Sequence, residues 1–227
     1  MCGRISQTKD LKKFAGRLNI LENEIPKLKS RYNVAPSQEV VVIIQEKEQR
    51  PTIAQFKWGL VPSWAKDMAI GNRMINARAE TLTAKPSFRG PLRRQRCLVP
   101  ADGFYEWKKQ GRSKVPYYIR MKSGEPFAFA GLWSLWIAPN GSELRTFTIV
   151  TTEPNDLMKT IHHRMPVIFP EDAERVWLDP KRDDSKELES LLVPYPSDKL
   201  EAYPVSTLVN SPANDLPECM APVRSLF

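Results

Sequence analysis

Residues 126–151 read PFAFAGLWSLWIAPNGSELRTFTIVT, and the fold follows from how this stretch must pair. Residues 126–136 and 144–151 read as the two strands of a hairpin, because the Asn140-Gly141 step between them favours a tight turn. Upstream, residues 96–99 and 103–108 read as strands, and Gln110-Gly111-Arg112 turns the latter into a strand over 115–121. Further back, residues 39–45 are dominated by β-branched side chains and residues 52–58 alternate apolar and polar, as a half-buried strand does. Helical spacing of Leu11, Phe14 and Leu18 behind a Ser6 or Thr8 cap predicts a helix over 8–18. Helices are expected near 155–161, 171–178 and 185–192, and a last strand near 200–205. Strands in the middle with helices at the ends and late connections predict an α+β fold. We expect a single domain, residues 1–227, whose curved, mainly antiparallel β-sheet core is flanked by helices.

Composition narrows the function classes. The chain carries 34 basic and 26 acidic residues, a net charge of +8, which favours an anionic partner, nucleic acid first. The basic residues cluster: Lys85, Arg89, Arg93, Arg94 and Arg96 surround Phe88, and Lys108, Lys109, Arg112 and Lys114 follow. Cations beside an aromatic suit a sugar-phosphate backbone and a stacked base. Three scattered cysteines, at positions 2, 97 and 219, argue against a disulfide framework and suit a reducing compartment. The first twenty residues lack an apolar leader and the apolar runs are too short to span a bilayer, so a cytoplasmic protein with no membrane partner is expected.

Four stretches place reactive side chains among apolar ones. Met1-Cys2-Gly3-Arg4 would, after loss of Met1, present an amine and a thiol on adjacent carbons, with ordinary pKa values of about 8 and about 8.5. Such a 1,2-aminothiol condenses with an aldehyde through an imine and closes to a thiazolidine; a frayed terminus without function is the alternative. In Ile75-Asn76-Ala77-Arg78-Ala79-Glu80 the polar residues would share one face if the chain is extended, which also describes an ordinary edge strand. Glu106 lies between large aromatics in Gly103-Phe104-Tyr105-Glu106-Trp107, where desolvation would raise its pKa toward a range useful for proton transfer, unless it lies on a solvated face. His162 and His163 are the only histidines. Adjacent histidines rarely ligate one zinc and no cysteine pair accompanies them, so no metal site is expected. Trp58 and Trp64 flank a Pro-broken loop that could be a core lid or a stacking wall.

These segments, with Arg31-Tyr32-Asn33-Val34-Ala35-Pro36, Trp58-Gly59, Phe88-Arg89 and His162-His163-Arg164-Met165-Pro166, occur in an order that resembles the SOS-response-associated peptidase (SRAP) family of abasic-site sensors. The resemblance runs over nearly the whole chain. It implies that Met1 is removed autocatalytically and that Cys2 crosslinks the ring-opened sugar of an abasic site in single-stranded DNA. It further implies that Glu106 is the acid-base group, that His162 assists, and that Asn76 positions the amine. Arg4, Arg78 and Arg164 would grip phosphates, while Phe88, Arg89 and Trp64 match a stacking, strand-separating region. His163 stands where the family often has an aspartate. No cofactor and no partner subunit are expected. A cysteine peptidase acting in trans and a non-covalent single-stranded-DNA-binding module are the alternatives.

Overall fold

A computed structural model describes residues 2–9, 11–47 and 49–223. Its strands are β1 (Ile5–Gln7), β2 (Arg31–Val34), β3 (Glu39–Ile44), β4 (Thr52–Trp58), β5 (Asn76–Arg78), β6 (Arg96–Ala101), β7 (Gly103–Gln110), β8 (Ser113–Met121), β9 (Phe127–Ile137), β10 (Glu143–Thr152), β11 (Met165–Pro166), β12 (Ile168–Phe169) and β13 (Leu200–Pro204). The α-helices are α1 (Lys12–Leu18), α2 (Pro86–Arg94), α3 (Asp156–Lys159), α4 (Glu171–Leu178) and α5 (Ser185–Ser190). The fold is α+β with mainly antiparallel sheets, as the strand pattern predicts.

The expected hairpin forms, with Glu143 opposite Ile137 and Ile149 opposite Gly131. Gly141 takes a φ of +81° at its turn, a backbone that a side chain would strain. Curvature goes as far as closure. Strands β10, β4, β3, β6 and β9 lie in that order in one sheet, and β9 also pairs with β10. The ring needs a parallel contact between β4 and β10, with Phe147 opposite Trp58. A smaller sheet, ordered β13, β8, β7, β1, β2, lies beside it.

Side-chain alternation divides the molecule into layers. Val42, Phe56, Trp58, Val99, Phe129 and Phe147 of the large sheet share one core with Ile5, Val34, Phe104 and Ile119 of the small one. The alternate residues Val41, Ile43, Leu98, Ala130 and Val150 pack against Phe14 and Leu18 of α1, Phe88 and Leu92 of α2, and Trp177 of α4. The outer face of the small sheet, carrying Tyr105 and Tyr118, is covered by Val209 and Cys219 near the C-terminus.

Three helices are shorter than expected, α5 by two residues at its C-terminal end. Residues 8 and 9 donate their backbone N–H groups to the Asp102 carboxylate, which holds them in a turn, so α1 begins at Lys12. Helix α3 is one turn, with Asn155 Oδ1 accepting from Met158 N at 2.9 Å. The segment 75–80 is extended only over Asn76–Arg78; residues 79–81 then turn, so Glu80 leaves the strand on which its alternation was read.

Candidate active site

The N-terminal segment is threaded into the small sheet. Ile5 lies opposite Phe104 and Ser6 opposite Gly103, and Tyr105 N–H donates to the Arg4 carbonyl at 3.0 Å. This continues the N-terminus along β7 and brings Cys2 beside Glu106. Both are enclosed: Cys2 is fully buried within the shared core and Glu106 is only 3% exposed. Burial first, and then the nearby Glu106 carboxylate, push the Cys2 thiol above its ordinary range, so the sulfur rests protonated. Burial likewise raises the Glu106 carboxyl, against smaller opposing effects that include a hydrogen bond from the Trp107 backbone N–H. Of the two readings open for Glu106, the desolvated one describes this protein.

The large sheet supplies the opposite wall. Strand β5 pairs parallel with β10, Asn76 opposite Ile149 and Arg78 opposite Thr151. Ile149 points into the shared core and Ala77 packs on the helical side, so Asn76 and Arg78 face the core side. Asn76 Nδ2 donates to the Ile75 carbonyl at 3.0 Å, while its buried Oδ1 has no partner among the described residues. A buried acceptor left open costs stability unless something occupies it.

His162 follows α3, its backbone N–H bonded to the Met158 carbonyl at 2.8 Å. Its Nδ1 lies 3.0 Å from the Arg164 backbone nitrogen and 3.2 Å from the Arg164 carbonyl oxygen, accepting from the one or donating to the other according to the tautomer. Burial, ahead of the other influences, lowers its pKa to about 4, so the ring is neutral at pH 7. His163 stacks on it at a centroid distance of 4.3 Å. Arg164 is fixed rather than presented: its guanidinium grips Glu80 through two bonds of 2.6 and 3.0 Å and donates to the Thr151 carbonyl at 2.7 Å.

The structure thus brings Cys2 and Glu106 together on one wall, with Asn76 on the strand edge opposite and Arg164 locking the His162 turn to that edge through Thr151. Arg78 and Arg89 are exposed and Trp64 is 60% exposed. Two further residues expected to meet DNA are enclosed in the fold. Arg4 is 9% exposed, donates to Asn33 Oδ1 at 2.7 Å and to the Val209 carbonyl, and lies 5.8 Å from the Trp107 ring centroid. Phe88 is 3% exposed and packs inward from α2, leaving Arg89 outside. The expected loss of Met1 lies outside the described residues. Asn33, which the sequence reading left without a role, is a hub: its fully buried amide also donates to the Ser211 and Asn214 carbonyls at 3.0 and 2.7 Å. Its place inside the Arg31–Pro36 segment was the available signal. Among the described residues, no group of three or more His, Cys, Asp or Glu could hold a metal ion, and no helix is long and apolar enough to cross a membrane.

Residues 1–212 match the family described as SOS response associated peptidase (SRAP). The chain belongs to this family. Its relatives include the abasic site processing protein YoqW of Bacillus subtilis, 49% identical over 96% of this chain and 98% of that protein. The abasic site processing protein HMCES of Gallus gallus is 34% identical over 85% of this chain and 66% of that protein. A crystal structure of a protein from Bacteroides thetaiotaomicron superposes with a TM-score of 0.85 at 33% identity, covering 98% of this chain and all of that one.

Proposed function

We propose that the chain processes abasic sites in single-stranded DNA by covalent capture, shielding the lesion in a cytoplasmic, DNA-associated, monomeric protein. The observation that carries this reading is that Cys2 and Glu106 lie enclosed beside one another.

Hydrolysis of the Met1–Cys2 bond, with Glu106 moving protons, frees the Cys2 amine. That amine attacks C1′ of the ring-opened sugar, and loss of one water gives an imine. The thiol then adds across the C=N bond: sulfur bonds to carbon, its proton passes through Glu106 to nitrogen, and the thiazolidine closes. The net loss is one water. A carboxyl raised by burial can both accept and return a proton near neutral pH. His162, a neutral ring, donates its N–H to the sugar ring oxygen as the hemiacetal opens. Asn76 Oδ1 accepts a hydrogen bond from the attacking amine or the new ring N–H. Arg78, Arg89 and Trp64 meet the flanking strand, while Phe88 anchors the helix that carries Arg89 and Arg4 holds the N-terminal segment in place.

A peptidase acting on other proteins needs a thiolate. Burial holds the Cys2 thiol protonated, which supports the amine-first trap instead. Intact-mass spectrometry before and after incubation with an abasic oligonucleotide tests the reading. The expected masses are the chain less Met1, then that chain plus the oligonucleotide less one water, with no adduct from Cys2→Ala or Cys2→Ser. An adduct formed by protein that retains Met1 would overturn it.

A further inference from the structure

The face of the small sheet that carries Glu106 does not end there. Antiparallel register sets Glu106 opposite Tyr117 and Lys108 opposite Val115, so these four side chains point to one side. Glu106 is enclosed, whereas Tyr117 and Lys108 are half-buried: the face opens to solvent at this point. Lys108 lies two residues beyond Glu106, about 7 Å further out, and its Nζ stands 5.9 Å from the Tyr117 ring centroid. Tyr117 packs against the same core that holds Cys2, so the ring is a firm platform. The hydroxyls of Tyr105, Tyr118 and Tyr203 are bonded to Tyr32, Ser6 and Met220. The Tyr117 hydroxyl has no bond among the described residues.

Beyond this platform the hairpin leaves the sheet. Strand β1 accompanies β7 only at Gly103 and Phe104, and β13 accompanies β8 only from Tyr117 onward. The remaining two-stranded arm carries Lys108, Lys109, Arg112 and Lys114, with Lys109 directly opposite Lys114. Like charges facing one another across strands are destabilising. None of the four has a carboxylate partner among the described residues, although exposed cations elsewhere pair readily, as in Arg120–Glu201 and Arg182–Glu187. Such an arm is stabilised by an anion.

We propose that Tyr117 and Lys108 form a subsite for the nucleotide next to the lesion, its base stacked on the Tyr117 ring and its phosphate at Lys108, and that Lys109, Arg112 and Lys114, at the tip and on the other face of the arm, carry the following phosphates as the same strand passes round its end. This deepens the capture reading and rests on it.

The test uses fluorescence anisotropy with the Cys2→Ala protein and a single-stranded oligonucleotide holding a tetrahydrofuran abasic analogue, alongside covalent capture by the wild type. Tyr117→Leu is expected to weaken binding by about fivefold or more, the lower end for loss of a stacked base. Removing the neighbouring base, by a second tetrahydrofuran on one side of the first, is expected to weaken binding to the Tyr117 protein and leave Tyr117→Leu unaffected. Lys109→Ala with Lys114→Ala is expected to reduce the slope of log affinity against log salt by about 1.4, roughly 0.7 per phosphate contact on a single strand. Should Tyr117→Leu fold poorly, the neighbouring-base substitution on either side and the lysine pair still decide. Wild-type capture with affinity and salt slope indifferent to all three changes overturns the subsite. Absence of wild-type capture overturns the underlying reading instead.

Discussion

Truncating Asn33 should destabilise the protein markedly, because both atoms of its amide are bonded. Its side chain is fully enclosed. Nδ2 reaches the carbonyls of Asn214 at 2.7 Å, Ser211 at 3.0 Å and Val209 at 3.3 Å, while Oδ1 accepts from Arg4 at 2.7 Å. Two hydrogens on Nδ2 satisfy two carbonyls well, so Asn33→Ala removes three good bonds. Two neutral bonds at about 1 kcal/mol and one charge-assisted bond at about 2 kcal/mol give about 4 kcal/mol. Among the described residues Arg4 then keeps only the Val209 carbonyl as hydrogen-bond acceptor, and the segment 206–215 loses the amide bonds that tie it to β2 beside those of Asp215. In guanidinium unfolding followed by tryptophan fluorescence, the midpoint should fall by about 1 M for a slope of about 4 kcal/mol/M. Because Arg4 is two residues from Cys2, crosslinking should also slow at temperatures where the variant remains folded. A midpoint within about 0.25 M of the wild type, about 1 kcal/mol at that slope, would show that Asn33 does not tie these segments together.

Three further outcomes follow from the same physics. His162, whose pKa burial lowers from 6.5 to about 4, stays neutral in the native state while the unfolded chain takes up a proton below about 6.5. Its contribution to stability is therefore complete above that pH and lost as pH falls through about 4; NMR titration of the ring should report the low value, and His162→Gln should flatten the acid limb of the stability curve. Gly131→Ala would set a Cβ 2.6 Å from Cys97 Sγ and 3.1 Å from Val99 Cγ2 inside the closed sheet, lowering stability by about 1–3 kcal/mol, as overpacking does, measurable in the same unfolding assay. Arg17→Met should cost about 3–5 kcal/mol, because the enclosed Glu174 carboxylate now accepts two bonds of 2.7 Å from that guanidinium and would keep no cation among the described residues.

What could be read from the sequence was whatever local chemistry decides. The Asn140-Gly141 turn specifies its hairpin without outside help, and the apolar spacing in residues 171–178 marks a helix whose bounds the structure reproduces. Closure of the large sheet has no such signature, because Trp58 and Phe147 meet in a parallel contact across 89 positions. Strand β1, three residues long, is too short to show alternation. The same division explains the site. Glu106 among aromatics was legible only in part: Phe104, two residues back, shares its face and its core, whereas Tyr105 and Trp107 lie on the other face of the small sheet, so its desolvation comes from the core around Cys2. Arg4 was not legible: a guanidinium at the start of a chain looks equally suited to a phosphate or to a backbone carbonyl, and the choice was made by the segment around Val209, 205 residues away, which folds over it. Phe88 differs again, for its four-residue spacing from Leu92 sets both on one helical face, and an apolar pair so placed belongs against the sheet rather than against a base. Arg89, one position on, is turned out to solvent by the packing that buries Phe88. A lesion-binding surface on this helix must then rely on cations held by a hydrophobic underside, the arrangement that the β7–β8 arm repeats with Lys108 beside Tyr117.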